Sequence, residues 1–275
     1  MPWALGPPDG RYLLRRPGDA PEATPSHVLV LATLGAPERR RLPVGRRKRD
    51  AQPEPEPIPV ATGRATIIDV AGEFASVADA QAWLAGADEE RINADLEVLN
   101  RALHAFRVVT ADPYQNVVSL RQALVVRLGY GAGEQVADGL WTEARELVFS
   151  ARRRRRATVL APQARLAAVL NGRERALACE ELTLRARLDL DHGREREAAL
   201  QVLIALDAAL AELPGDPTAA ALSERVDELR SQRDPVAVAA QSALAGALSL
   251  EERASVEFTL GRLEAVLRAR AVASA

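Results

Sequence analysis

Cysteine occurs once in this 275-residue chain, as Cys179, so no disulfide can form within it. The fold must hold by packing, and such cysteine usage fits a reducing compartment. Lysine is just as scarce: Lys48 stands alone among 36 basic residues, while alanine makes up close to a fifth of the chain. Arg and Ala codons are GC-rich and Lys codons are not, so the composition is that of a GC-rich, bacterial coding sequence. Arginine clusters therefore count for less as selected features. Aromatic residues are only 4% of the total, which leaves few platforms for stacking bases. Long apolar runs are lacking too. The best, Val28 to Leu34 and Val236 to Leu248, are too short or too diluted by alanine for the roughly 20 residues of a membrane span. Met1-Pro2-Trp3 does not begin a charged-then-apolar signal pattern. A cytoplasmic protein without a membrane span is the expectation.

What is present suffices for a folded core: 48% hydrophobic and 27% charged residues over a length of one or two domains. The net charge of −2 hides a division. Residues 1–60 carry 10 basic and 7 acidic side chains, a net of +3, whereas Ala61 onward carries 26 and 31, a net of −5. The first 63 residues also hold 12 of the 17 prolines, and Pro53-Glu54-Pro55-Glu56-Pro57-Ile58-Pro59 reads as an extended, semi-rigid linker. The organisation expected is a β element over 1–35, a basic and Pro-rich linker over 36–63, a third strand with a first helical part over 64–150, and a helical array over 151–275.

Three runs have strand character. These are Arg11 to Arg15 after the Pro8-Asp9-Gly10 turn, His27 to Leu34, and Arg64 to Val70 beyond the linker. Three strands with one covered face can persist as a small sheet. From Ser76 the signals turn helical. Ser76-Val77-Ala78-Asp79 resembles a capping box closed by Gly86, and Asp88 caps a helix whose Ile92, Leu96, Leu99, Leu103, Phe106 and Val109 keep three- and four-residue spacing until Asp112-Pro113. The capping box Ser119-Leu120-Arg121-Gln122 predicts a further helix over Ala123, Leu124 and Leu128, ended by Gly129. Val136, Leu140, Trp141, Ala144, Leu147 and Val148 mark another apolar helical face, with a hairpin around Ala132-Gly133 as the alternative. Beyond residue 160, breaks at Asn171-Gly172, His192-Gly193, Pro214 to Pro217, Asp234-Pro235 and Ser249 to Glu252 divide an array of helices, with Asp216 and Asp234 as caps followed by Pro at the first helical position. Such short breaks make antiparallel neighbours, as in an α-solenoid or an irregular bundle.

Little in this pattern carries chemistry. Gly129-Tyr130-Gly131-Ala132-Gly133 has Glu134 where a dinucleotide-binding turn needs its third glycine, and a carboxylate there repels a pyrophosphate. Among His27, His104 and His192, the last ends a helix in Asp-His-Gly, where a C-cap role explains it better than metal binding with Asp189 and Asp191. Cys179 precedes Glu180 and Glu181, a setting that raises a thiol pKa and fits a small core residue. No cofactor and no metal is called for. Two basic clusters remain as candidate polyanion-binding sites: Arg39, Arg40, Arg41, Arg46, Arg47, Lys48 and Arg49, and the run Arg152, Arg153, Arg154, Arg155 and Arg156. Such density can neutralise phosphates. The acidic remainder of the chain provides no general attraction for a polyanion.

Ala186, Gly193, Ala198 and Ala205, with Leu182 and Val202 at larger positions, have the spacing of one tetratricopeptide unit, which this helix pair resembles over about 34 residues. The resemblance implies two closely packed antiparallel helices. The chain departs from that family in having Asp189 at the usual aromatic position and no second copy downstream, so an ordinary helical hairpin stands beside it. Taken together, the expectation is a mainly α protein, a helical array with a small N-terminal β element of two to three strands. Its expected role is non-enzymatic interaction or assembly, with another protein or itself as partner. Nucleic-acid or other polyanion binding through the Arg-rich segments is the alternative, and an enzyme without a recognisable motif a further one.

Overall fold

The computed structural model describes residues 5–16, 19–20, 22–35, 61–70, 72–147 and 165–273. Both basic clusters and the Pro-Glu linker lie outside the described residues. The fold is mainly α with a small N-terminal antiparallel sheet, and the chain divides into two compact units, Met1–Ser150 and Ala151–Ala275.

In the first unit, β1 (Gly10–Leu14), β2 (His27–Leu34) and β3 (Thr62–Asp69) form an antiparallel sheet in that order, with β2 central. Side chains alternate across a strand, so the register assigns each face. Leu29 stands between Tyr12 and Ile67, and Leu31 opposite Ala65. This face packs on helix α2 (Glu89–Thr110) through Leu99 and Leu103, sealed by Leu5 and Val118. On the opposite face Arg11 reaches Glu134 at 3.0 Å and Asp138 at 3.3 Å. Helix α1 (Val77–Ala85) starts at the Ser76 cap, whose hydroxyl accepts from the Asp79 amide, and α2 starts at Asp88, which accepts from Arg91.

One buried polar residue organises the loop after α2. Asn100, 2% exposed, donates from Nδ2 to the Val118 carbonyl at 2.9 Å and accepts from the Val118 amide at 2.8 Å. Its side chain thus acts as a backbone-like partner for an isolated residue, satisfying a donor and an acceptor that burial would otherwise leave costly. Asn100→Ala is expected to destabilise this unit by on the order of 2 kcal/mol. Chemical denaturation and faster amide exchange at Val118 would show it; unchanged stability would remove the assignment.

The segment 119–147 departs from the helical expectation. The Ser119 box forms, with the Ser119 amide donating to Gln122 Oε1 at 2.8 Å, but it caps one 3-10 turn, Leu120–Gln122. The β-branched pair Val125-Val126 leads instead into β4 (Arg127–Tyr130), which pairs with β5 (Glu143–Glu146). The apolar helical face over Val136 to Val148 is replaced, as far as Leu147, by a short 3-10 turn, Gly133–Val136, and then β5, with Gly139 at φ +84° between them. The hairpin alternative holds. Gly129 is needed for it: a Cβ there would lie 2.7 Å from the Glu143 carbonyl oxygen, so only glycine lets the strands approach.

In the second unit, residues 165–170 are helical and are followed by α3 (Ala178–Asp191), α4 (Glu195–Glu212), α5 (Ala219–Ser231), α6 (Arg233–Ala245) and α7 (Leu250–Ala273). Helices α3 and α4 form an antiparallel hairpin. At one end Glu212 accepts from the amides of Ala178 and Cys179, both at 3.0 Å, and at the other Asp189 meets Arg194 and Gln201. Ala186, Ala198 and Ala205 are fully buried, and Gly193 supplies φ +68° in the turn, so the two helices pack closely as a helical hairpin. Asp189, where that family has an aromatic residue, is 9% exposed and held by Arg194 at 2.6 Å. The core is completed by Leu206, Leu213, Leu222, Leu229, Leu260 and Leu263.

Two proline positions and one apolar run need correction. Asp216 caps a turn by accepting from the Thr218 amide and hydroxyl, and α5 starts after it with Thr218 as N-cap, so Pro217 lies outside the helix. Helix α6 begins one residue before Asp234, which puts Pro235 third, still in the first turn where its missing N–H costs little. The stretch Glu195–Gly215 has the length and composition of a membrane-crossing helix, which a scan for uninterrupted apolar runs overlooks. Here Ala199, Val202, Ala205, Leu206 and Ala209 face the core, while Asp207 is engaged by Arg233 at 2.8 Å.

Candidate functional site

Four places gather polar or apolar groups in a way that can serve function. The most heavily charged is an ionic centre in the second unit, where the end of α7 meets the starts of α3 and α5. Arg270, with its side chain 5% exposed, donates from Nε to Asp216 at 2.7 Å and from Nη1 to Glu180 at 3.1 Å, with Glu174 at 3.5 Å. Arg165 reinforces it, reaching Glu174 at 2.8 Å and Glu180 at 2.6 Å. Burial pushes the Asp216 carboxyl up, but the Thr218 hydroxyl and amide and the Arg270 guanidinium outweigh that and hold it down to about 2. Glu212 is also lowered: burial opposes this, and the Cys179 and Ala178 amides prevail. These groups satisfy one another and cap α3, so the centre ties three helices together.

Cys179 lies beside it, fully buried. Burial first, then the adjacent Glu212 carboxylate, pushes its thiol up to about 12, which disfavours the reactive thiolate. His192 ends α3 at the C-cap, and Asp189 spends its two carboxylate oxygens on Arg194 and Gln201. Among the described residues no group of three His, Cys, Asp or Glu side chains is placed to hold a metal ion.

A second place lies under the sheet of the first unit. Ser26 and the His27 ring nitrogen Nδ1 are 2.9 Å apart, Asp69 stands opposite His27 in the register, and Asp95 on α2 is close enough to feel its charge. Burial raises the Asp95 carboxyl, against the pull of Arg91 and His27. Ser26 is buried and its hydroxyl also donates to the Leu14 carbonyl at 3.3 Å, so the group anchors the end of the β1–β2 pair. A third place gathers scarce aromatics: Phe74 contacts Trp83 and Tyr130 at centroid distances of 5.3 and 6.2 Å, and the Arg91 guanidinium sits 4.8 Å from the Trp83 ring centroid. Residues so distant in sequence give no local signal, and neither place was legible before the fold.

The fourth place is open and apolar. Between α5 and α7 runs a groove of about 410 Å³ lined by Ala221, Leu222, Arg225, Arg268, Ala269, Val272 and Ala273. Val272 is 78% exposed, and among the described residues Arg225 makes no ion pair. Arg268 has only Glu264, at 3.8 Å, and its side chain is 70% exposed. Other arginines of these helices are compensated, Arg230 by Asp227 and Arg262 by Glu228. The groove thus combines an apolar floor with two available cations.

Comparison with protein-family models, with curated proteins and with solved structures gave no match.

Proposed function

We propose that the protein is a non-enzymatic interaction or assembly protein that binds another protein through the helical surface of the unit Ala151–Ala275. The observation that carries this reading is the groove between α5 and α7, an open apolar trough on rigid helices with Leu222 buried at its floor and arginines at its edges. Arginine is over-represented at protein interfaces, and an apolar centre with a charged rim is their usual make-up. Further apolar residues of this unit are exposed, among them Leu184 and Leu188 on α3, Ile204 on α4 and Phe258 on α7.

The test is native co-purification of the full chain followed by mass spectrometry, alongside a variant, Ala221→Trp, that fills the groove from an exposed position. A stoichiometric protein partner that survives nuclease and is lost with Ala221→Trp is the expected result. A bare monomer would overturn the proposal. Nuclease-sensitive absorbance near 260 nm, lost when Arg152 to Arg156 become Ser, would replace it with polyanion binding.

A further inference from the structure

We infer that the groove between α5 and α7 takes an acidic amphipathic helix of a partner protein, with aliphatic anchors at i and i+4 on the groove floor and carboxylates on Arg225 and Arg268. This deepens the proposed function and rests on it. Two observations lead to this occupant. First, the groove is bounded by two helices packed side by side, with Arg262 of α7 paired to Glu228 of α5 at 3.0 Å, so the trough follows their axes. A third helix fits such a trough by setting its ridge of side chains into it. Second, the lining is apolar except for the two arginines, and among the described residues both keep donors to spare while neighbouring arginines are spent on local acids. An anionic partner side chain gains a charge-assisted hydrogen bond there, and a cationic one is repelled.

A second copy of this chain does not match that chemistry. Of its exposed i, i+4 leucine pairs, Leu166 and Leu170 lie near Arg173 and Arg175, which two rim arginines repel, and Leu184 and Leu188 lie on α3, where Glu181 and Asp191 are already paired to Arg185 and Arg187. The apolar faces of α5 and α7 are already used in the core through Val226, Leu229, Leu260 and Leu263. A separate acidic partner is the occupant that remains.

The experiment uses the full chain and two synthetic helical peptides labelled for fluorescence anisotropy. Both carry leucine at i, i+4 spacing on one face; the remaining positions are Glu-rich in one and Lys-rich in the other. The acidic peptide is expected to bind about tenfold or more tightly than the basic one, and to weaken strongly between low and high salt. Arg225→Glu with Arg268→Glu should reverse the preference, a gain of binding that misfolding cannot produce. Ala221→Trp should abolish both. Equal binding of the two peptides, or no change on charge reversal, would overturn the acidic partner; if that binding is still lost with Ala221→Trp, the groove remains the docking surface. Binding that Ala221→Trp leaves untouched would overturn both readings, and binding of neither peptide would overturn this inference.

Discussion

Replacing Arg270 with Met is expected to cost the C-terminal unit about 3–5 kcal/mol, the usual penalty for removing one partner of a buried ion pair. The side chain of Arg270 is 5% exposed and that of Asp216 likewise 5%, and Glu174 and Glu180 are close behind at 19% and 15%. Without the guanidinium those carboxylates face one another in a site that water reaches poorly. Arg165 would still compensate Glu174 and Glu180, but it makes no contact with Asp216. The loss therefore concentrates on the turn that precedes α5. Chemical denaturation followed by circular dichroism measures it, and a loss below about 1 kcal/mol, the worth of a surface pair, would show that the centre is solvated.

The same centre fixes a pH dependence. Asp216 titrates near 3.8 when unperturbed and at about 2 in the folded chain, so between those values the unfolded chain binds more protons. Its stabilising contribution is complete above the unfolded value and is lost as pH falls toward 2. Glu212, also lowered, shifts in the same sense. Acid should therefore weaken the native protein, and Arg270→Met should lessen that dependence, because Thr218 alone is then left to hold the Asp216 carboxyl down.

Leu206→Ala is expected to cost about 2–5 kcal/mol, since it removes a fully buried side chain at the centre of the helical core and leaves a cavity that rigid neighbours cannot fill. Ile204, two residues earlier on the same helix, is 55% exposed. Ile204→Ala deletes a comparable number of carbon atoms with little cavity, and should shift stability by less than about 1 kcal/mol. Thermal and denaturant unfolding of the two variants side by side read the difference. Equal losses would mean that Ile204 is also covered, and the exposed surface assigned to α4 would be withdrawn.

The parts of this fold that were legible in advance are those in which local chemistry and tertiary packing agree. Ser76, Asp88 and Ser249 each supply an oxygen to a helix-starting amide. Ala186, Ala198 and Ala205 at helical spacing announce a tight hairpin whatever lies around it. The Ser119 box shows the limit. It formed as its residues dictate, yet the helix stopped after one turn because Arg127 to Tyr130 found partners in Glu143 to Glu146, a pairing decided by residues more than a dozen positions away. The site was less legible still: Arg225 and Arg268 are two unremarkable arginines in a chain full of them until α5 and α7 are laid side by side.

From its single cysteine, its punctuated helices and its proline-dense beginning, the chain by itself determined a disulfide-free, mainly α protein with a small sheet near the N-terminus, because caps, turns and periodicity act over a few residues. It also pointed to a raised thiol at Cys179, although burial and Glu212, which the fold supplies, are the larger causes. Only the tertiary structure decided which arginines are spent and which, among the described residues, keep donors to spare. That depends on how far Arg270, Arg262, Arg225 and Arg268 lie from carboxylates on other helices, and Coulomb attraction in a shielded site acts through space rather than along the chain.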